Sequence, residues 1–203
     1  MFEDRIRVII ERVEALRQRP GTADWFGADK HQFRFNPPLP EAEVAAFEKL
    51  HSISLPEDYR QFLLLAGNGG AGPYYGIDPL SQWDYWFDQE DGCPPLLASP
   101  CPFAYEQAIN QEWRDYLPPG REKWFRGSIH ICDQGCAFAS RLIVTGASRG
   151  RIFNLDAHCM KPPHFVKDAN FIDWYERWLD QALAGEPRPW FGYDNPAYAT
   201  AGL

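Results

Sequence analysis

Three groups of residues in this 203-residue chain have the types and spacing that chemistry uses. Gly67, Gly69 and Gly72, within LLLAGNGGAGPYYGI, stand at G-x-G-x-x-G, the spacing that lets backbone N–H groups approach a phosphate, and acids follow at Asp88 and Asp91. His130, Cys132 and Cys136, with His158-Cys159 one hairpin later, are soft donors that would suit zinc if they converged; Cys136, His158 and Asp156 also supply the types of a thiol nucleophile, its base and an orienting acid. Asp84, Asp88, Glu90 and Asp91 beside Trp83 and Trp86 offer the carboxyl pair and sugar-stacking rings of a glycosidase.

Each chemistry depends on the element that holds it. A phosphate cradle needs a strand before its glycines and a helix after them, whereas here Tyr59, Phe62, Leu63 and Ala66 recur at helical intervals and Pro73-Tyr74-Tyr75-Gly76-Ile77 is extended. Gly67 therefore reads as the left-handed stop of a helix, with Asn68-Gly69-Gly70 continuing a tight reversal, so Gly67, Gly69 and Gly70 are structural turn residues. His130 and Cys132 share a strand face that reads as buried, and nothing raises Cys136 on a helix N-terminus where its thiolate would be stabilised. The four acids fall on one loop and read as solvated surface. No catalytic residue, metal or cofactor is expected.

Stepping along the chain, residues 3 to 18 carry Ile6, Ile9, Ile10, Val13 and Leu16 on one helical face, ended by Pro20-Gly21. Residues 22 to 38 read as irregular. Pro40-Glu41 opens a second helix with Val44, Phe47 and Leu50 inward, and Ser54 with Glu57 has capping-box spacing for a third. Residues 81–127, rich in Trp, Tyr, Phe and Pro, read as ordered loops with one short helix near 104–116. Strands follow at 128–132, 141–145 and 151–155, with turns at Asp133-Gln134-Gly135 and 146–150, forming an antiparallel meander. Phe171, Ile172, Trp174, Tyr175, Trp178, Leu179 and Ala182 define a last helix closed by Gly185, before a tail to Leu203 that either packs or wanders. Helices at both ends of a meander, without βαβ alternation, give a single α+β domain over 1–185 with a tail at 186–203.

A formal charge of −8 with a pI of about 5.1 excludes a nucleic-acid backbone or an anionic membrane as the main partner. The N-terminus has no uncharged signal core, no stretch approaches ~20 apolar residues, and five unpaired-looking cysteines suit reduced thiols, so a cytoplasmic location is expected. From Gln61 through Trp113 there is no Lys or Arg, whereas Asp78, Asp84, Asp88, Glu90, Asp91, Glu106 and Glu112 are acidic. Tyr74, Tyr75, Trp83, Tyr85, Trp86 and Phe87 crowd into the same stretch. Acids that steer a basic partner beside rings that fill its pockets make a protein interface; the competing reading is that the rings line the core and the acids give solubility. The binding residues proposed from sequence are Tyr74, Tyr75, Trp83, Asp84, Trp86, Asp88, Glu90 and Asp91.

Four stretches in order, LPEDYRQFLLLAGNGG (55–70), GPYYGIDPL (72–80), IHICDQGCAFASRLIVTGASRGRIFNLD (129–156) and FIDWYERWLDQAL (171–183), resemble the SUKH superfamily, the Smi/Knr-like group. The resemblance implies one α+β domain whose mixed, largely antiparallel sheet packs against helices from both ends of the chain. It implies, for bacterial members, immunity proteins that bind and shield a polymorphic or contact-dependent toxin; the acidic stretch of this chain points to a basic one such as a nuclease. For fungal relatives it implies adaptors in cell-wall regulation. A carboxylate-based glycoside hydrolase stands as the enzymatic alternative. The family pattern carries no catalytic residues, and the stretch at 81–127 is longer than a minimal member has.

Overall fold

In the computed structural model, residues 2–84, 97–105, 121–158, 163–185 and 190–193 are described. Helix α1 (Phe2–Arg17) buries Ile6, Ile9, Val13 and Leu16 at intervals of three and four, one apolar stripe with charged residues around it. Ile10, expected on that stripe, is 37% exposed at its margin. The stretch 22–38, expected to be irregular, holds a 3₁₀ turn at Thr22–Asp24 and a one-turn helix α2 (Ala28–His31), both entered through glycines with positive φ.

Helix α3 (Glu41–His51) buries Val44 and half-buries Phe47, but Leu50 is turned outward. Helix α4 (Glu57–Leu65) starts after Pro56 with no side-chain cap, so the expected Ser54 capping box does not form. Glu48 instead reaches from α3 to accept from the Leu55 N–H at 2.7 Å, which fixes the approach to α4. The last helix, α5 (Phe171–Ala184), is capped by Asn170, whose Oδ1 accepts from the Asp173 N–H, and closes at Gly185 with φ +83°. Helix α1 lies against α4 and α5, and Arg5 ties it to α5 through Asp173 at 2.7 Å and Glu176 at 2.6 Å. The expected helix near 104–116 falls largely outside the described residues.

The sheet is a meander of β1 (Ser128–Gly135), β2 (Phe138–Ile143), β3 (Ile152–Asp156) and β4 (His164–Phe165), in that spatial order, and every pairing is antiparallel. The expected turn at 133–135 is strand. Two irregularities lengthen β1, and the reversal falls at Cys136-Ala137, whose φ values of 50° and 71° give the left-handed two-residue turn that matches strand twist. Ile129, Ile131, Leu142 and Ile152 face the helical layer, where Tyr59, Phe62, Trp174 and Tyr175 are fully buried. The opposite face carries a second core of Ile143, Phe153, Leu155 and Phe165 under Phe103, Trp124 and Phe125. The chain is an α+β domain, as expected.

The glycine motif is architecture. Gly69 and Gly70 have φ of +83° and +108°, as a reversal requires, and Gly70 bridges both Phe35 and Ile77. Gly67 does not hold a positive φ, contrary to expectation. It is needed because a Cβ there would sit 2.3 Å from the Asn36 carbonyl oxygen.

Candidate functional site

The segment following these glycines positions the residues that sequence nominated. It turns at Tyr74, runs along the outer edge of β1, and ends in a short 3₁₀ turn at Leu80–Gln82 that presents Trp83 and Asp84. The Asp78 N–H donates to Ile131 O at 2.9 Å, and the His130 N–H donates to Trp83 O at 2.8 Å. Covering an edge strand in this way satisfies its unpaired backbone groups.

The described members of the nominated set fall into two groups along this segment. At one end, Tyr75 packs against the ring of Phe26 with centroids 4.9 Å apart, and Tyr74 donates its hydroxyl to Phe191 O at 2.8 Å. At the other end, Trp83 lies edge-on to His51 at 4.7 Å and to Phe47 at 6.3 Å, so its ring is half-buried against α3. Asp84 is half-buried beside it. Trp86, Asp88, Glu90 and Asp91 lie outside the described residues. Asp78, one of the acids in the cation-free stretch, is engaged internally: its Oδ2 meets His130 Nε2 at 2.7 Å and accepts from the Asp133 N–H.

The first cluster borders a cleft of about 350 Å³ walled by Trp25, Phe26, Tyr74, Trp178, Trp190 and Phe191, with His31, Gln134 and Gln181 among its polar lining. Phe26 is 63% and Trp190 49% exposed, so two large rings stand at the rim in water. Phe191 is buried against Trp174, and Tyr193 donates to Gln134 Oε1 at 2.9 Å; residues 190–193 of the tail thus pack on the body. Gln134 is otherwise engaged, its Nε2 donating to Ser140 Oγ and Asn154 Oδ1. His31 Nδ1 accepts from the Phe33 N–H, and burial pushes its imidazole down to about 4, so it is neutral near pH 7.

Sequence reasoning missed this cleft. Its rings come from α2 and the turn before it, from the Tyr74 turn, from α5 and from the tail, and no local spacing links them. The available signal was a run of aromatics at Trp25-Phe26 in a segment that read as irregular.

The other chemistries meet different geometry. Cys132 is buried with its thiol 3.3 Å from Pro73 O, burial raising its pKa, while Cys136 is exposed on the hairpin turn. Asp156 directs a carboxylate oxygen to the His158 N–H at 2.9 Å, away from any triad role. Among the described residues no group of three His, Cys, Asp or Glu is placed to hold a metal; Cys159 lies outside them. No described helix is long and apolar enough to cross a membrane.

An antiparallel meander with its edge covered by the preceding segment, backed by helices from both ends of the chain, defines the class of domain. The SMI1 / KNR4 family (SUKH-1) model matches residues 38–177, and the chain belongs to that family. No curated protein matches it at a significant level.

Proposed function

We propose that this chain is an immunity protein that binds a toxin domain and neutralises it by occlusion, without catalysis of its own. Family membership supports a protein-binding role of this type. The observation that carries the reading is the pair of exposed rings, Phe26 and Trp190, beside Tyr74 and Tyr75, at the start of a stretch from Gln61 to Trp113 that contains seven acids and no Lys or Arg. Large rings exposed at a cleft rim supply anchors, and an acid-rich neighbourhood supplies steering for a basic partner. Such a partner is a nuclease-like toxin, and the protein works where that toxin reaches the cytoplasm. The contact surface spans Tyr74, Tyr75, Trp83 and Asp84 and continues through Trp86, Asp88, Glu90 and Asp91.

The test is co-expression with the product of the adjacent gene, scored by survival, together with association kinetics at two ionic strengths. Protection with salt-sensitive association supports the reading. Loss of neither protection nor association rate when Asp84, Asp88, Glu90 and Asp91 become Asn or Gln moves the contact to another face.

A further inference from the structure

We infer that the aromatic cleft is an anchor pocket for an arginine side chain projecting from the basic partner. The inference rests on the reading that the partner is basic, and it assigns a place to one of that partner's charges.

The walls decide the chemistry. Among the described residues no lysine or arginine lines the cleft, and the histidine that does is neutral near pH 7, so the described walls offer an anion no counter-charge. The rings of Trp25, Phe26, Tyr74, Trp178 and Trp190 present π faces and edges, and π faces attract cations, Trp most strongly. Gln181 Oε1 is buried in the wall with no donor among the described residues, so its carbonyl dipole adds negative potential to the site. Arg177 lies over the Phe191 ring at 4.5 Å and is neutralised by Asp168 at 2.8 Å. That contact also shows a guanidinium stacking on a ring of this wall.

Arginine suits the cleft better than lysine does. Its planar head stacks on rings and carries several donors, and its three-carbon stem covers apolar surface. A lysine head is a strongly hydrated point charge that keeps its water. A volume of about 350 Å³ takes the whole side chain with part of the peptide that bears it. Phe26 and Trp190, exposed at the rim, close over the stem.

The probe is N-acetyl-arginine amide, titrated into the full chain while the indole N–H resonances of Trp25, Trp178 and Trp190 are followed by NMR. The expected result is saturable shifts at these indoles in the millimolar range, with binding about tenfold weaker for the neutral isostere N-acetyl-citrulline amide. Phe26→Ala and Trp190→Ala, both at exposed positions, lower the affinity about tenfold with little change in melting temperature. Leu50→Ser, on an exposed face of α3 away from the cleft, leaves it unchanged. Equal binding of N-acetyl-norleucine amide overturns the proposal in favour of an apolar anchor. Absence of indole shifts, or shifts indifferent to Phe26→Ala and Trp190→Ala, also overturns it. The probe contains no toxin, so such a failure leaves the toxin assay to stand or fall by itself.

Discussion

Gly67 and Gly69 belong to one motif yet are required for different physical reasons, and substitution separates them. An alanine Cβ at Gly67 lies 2.3 Å from Asn36 O and 2.9 Å from Phe35 Cβ, so the backbone must give by about 0.7 Å merely to restore 3.0 Å. Overpacking of that kind costs about 1–3 kcal/mol. Gly21 provides the opposite case, with φ +83° and nothing within 4 Å of the added carbon, so alanine there meets backbone strain alone, about 1–2 kcal/mol. Gly69 combines both, φ +83° with a carbon 2.4 Å from Ile77 O, and its alanine variant should lose about 2–5 kcal/mol. In a chain of this length each kcal/mol lowers the melting temperature by about 2–4 °C. Asparagine discriminates further, because its side chain tolerates the left-handed region. Gly21→Asn should recover much of what Gly21→Ala loses, whereas Gly67→Asn should be no better than Gly67→Ala. Thermal melts of the five variants, with and without ATP or NAD, read out the whole set, and nucleotide should shift none of them. Rescue by asparagine at Gly67 would refute the close-approach argument, and a clear rise in melting temperature with nucleotide would restore the phosphate reading.

Converting Asp84, Asp88, Glu90 and Asp91 to Asn or Gln should slow toxin association and flatten its salt dependence, since charges are screened beyond about 8 Å at physiological ionic strength; stopped-flow mixing at two salt concentrations measures it. Trp83→Ala should cost about 1–2 kcal/mol of stability by denaturant titration, because its half-buried ring packs edge-on to Phe47 and His51. A purely kinetic effect on dissociation would return Trp83 to the role of an interface anchor. His31 is held neutral by burial, with a pKa near 4 against 6.5, so the unfolded chain takes up its proton first as pH falls. Stability should therefore be complete above about pH 6.5 and decline toward pH 4, by on the order of 3 kcal/mol from this group. His130, also depressed by burial, adds to the loss on the acid side, and His31→Asn, which keeps an acceptor for Phe33, should flatten the His31 part of the decline.

The helices were legible wherever burial imposed a period. Ile6, Ile9, Val13 and Leu16, then Tyr59, Phe62 and Leu63, then the aromatic face of α5 all lie inward as their spacing requires. Ile10 and Leu50 were misplaced because spacing defines a stripe without its width, and both fall at or beyond its edge. The first hairpin turn is hidden in the sequence because Asp133-Gln134-Gly135 carries the usual turn residues, while the real turn uses Cys136 and Ala137 in a conformation that glycine and asparagine normally supply. The cleft was illegible because it exists only after chain segments far apart in sequence are packed together.

The boundaries of the family match cross this cleft in an instructive way. Trp25, Phe26 and His31 precede residue 38, and Trp178, Gln181, Trp190 and Phe191 follow residue 177, while the sheet and the covering segment at its edge lie between. The cleft is thus walled from both flanks of the matched span and, through Gly72, Pro73, Tyr74 and Gln134, from inside it. The flanks also carry α1 and the second half of α5, whose Ile6, Ile9, Leu16, Trp178 and Leu179 belong to the main core, so trimming to the matched segment would take away together walls of the cleft and part of the helical layer that backs the sheet.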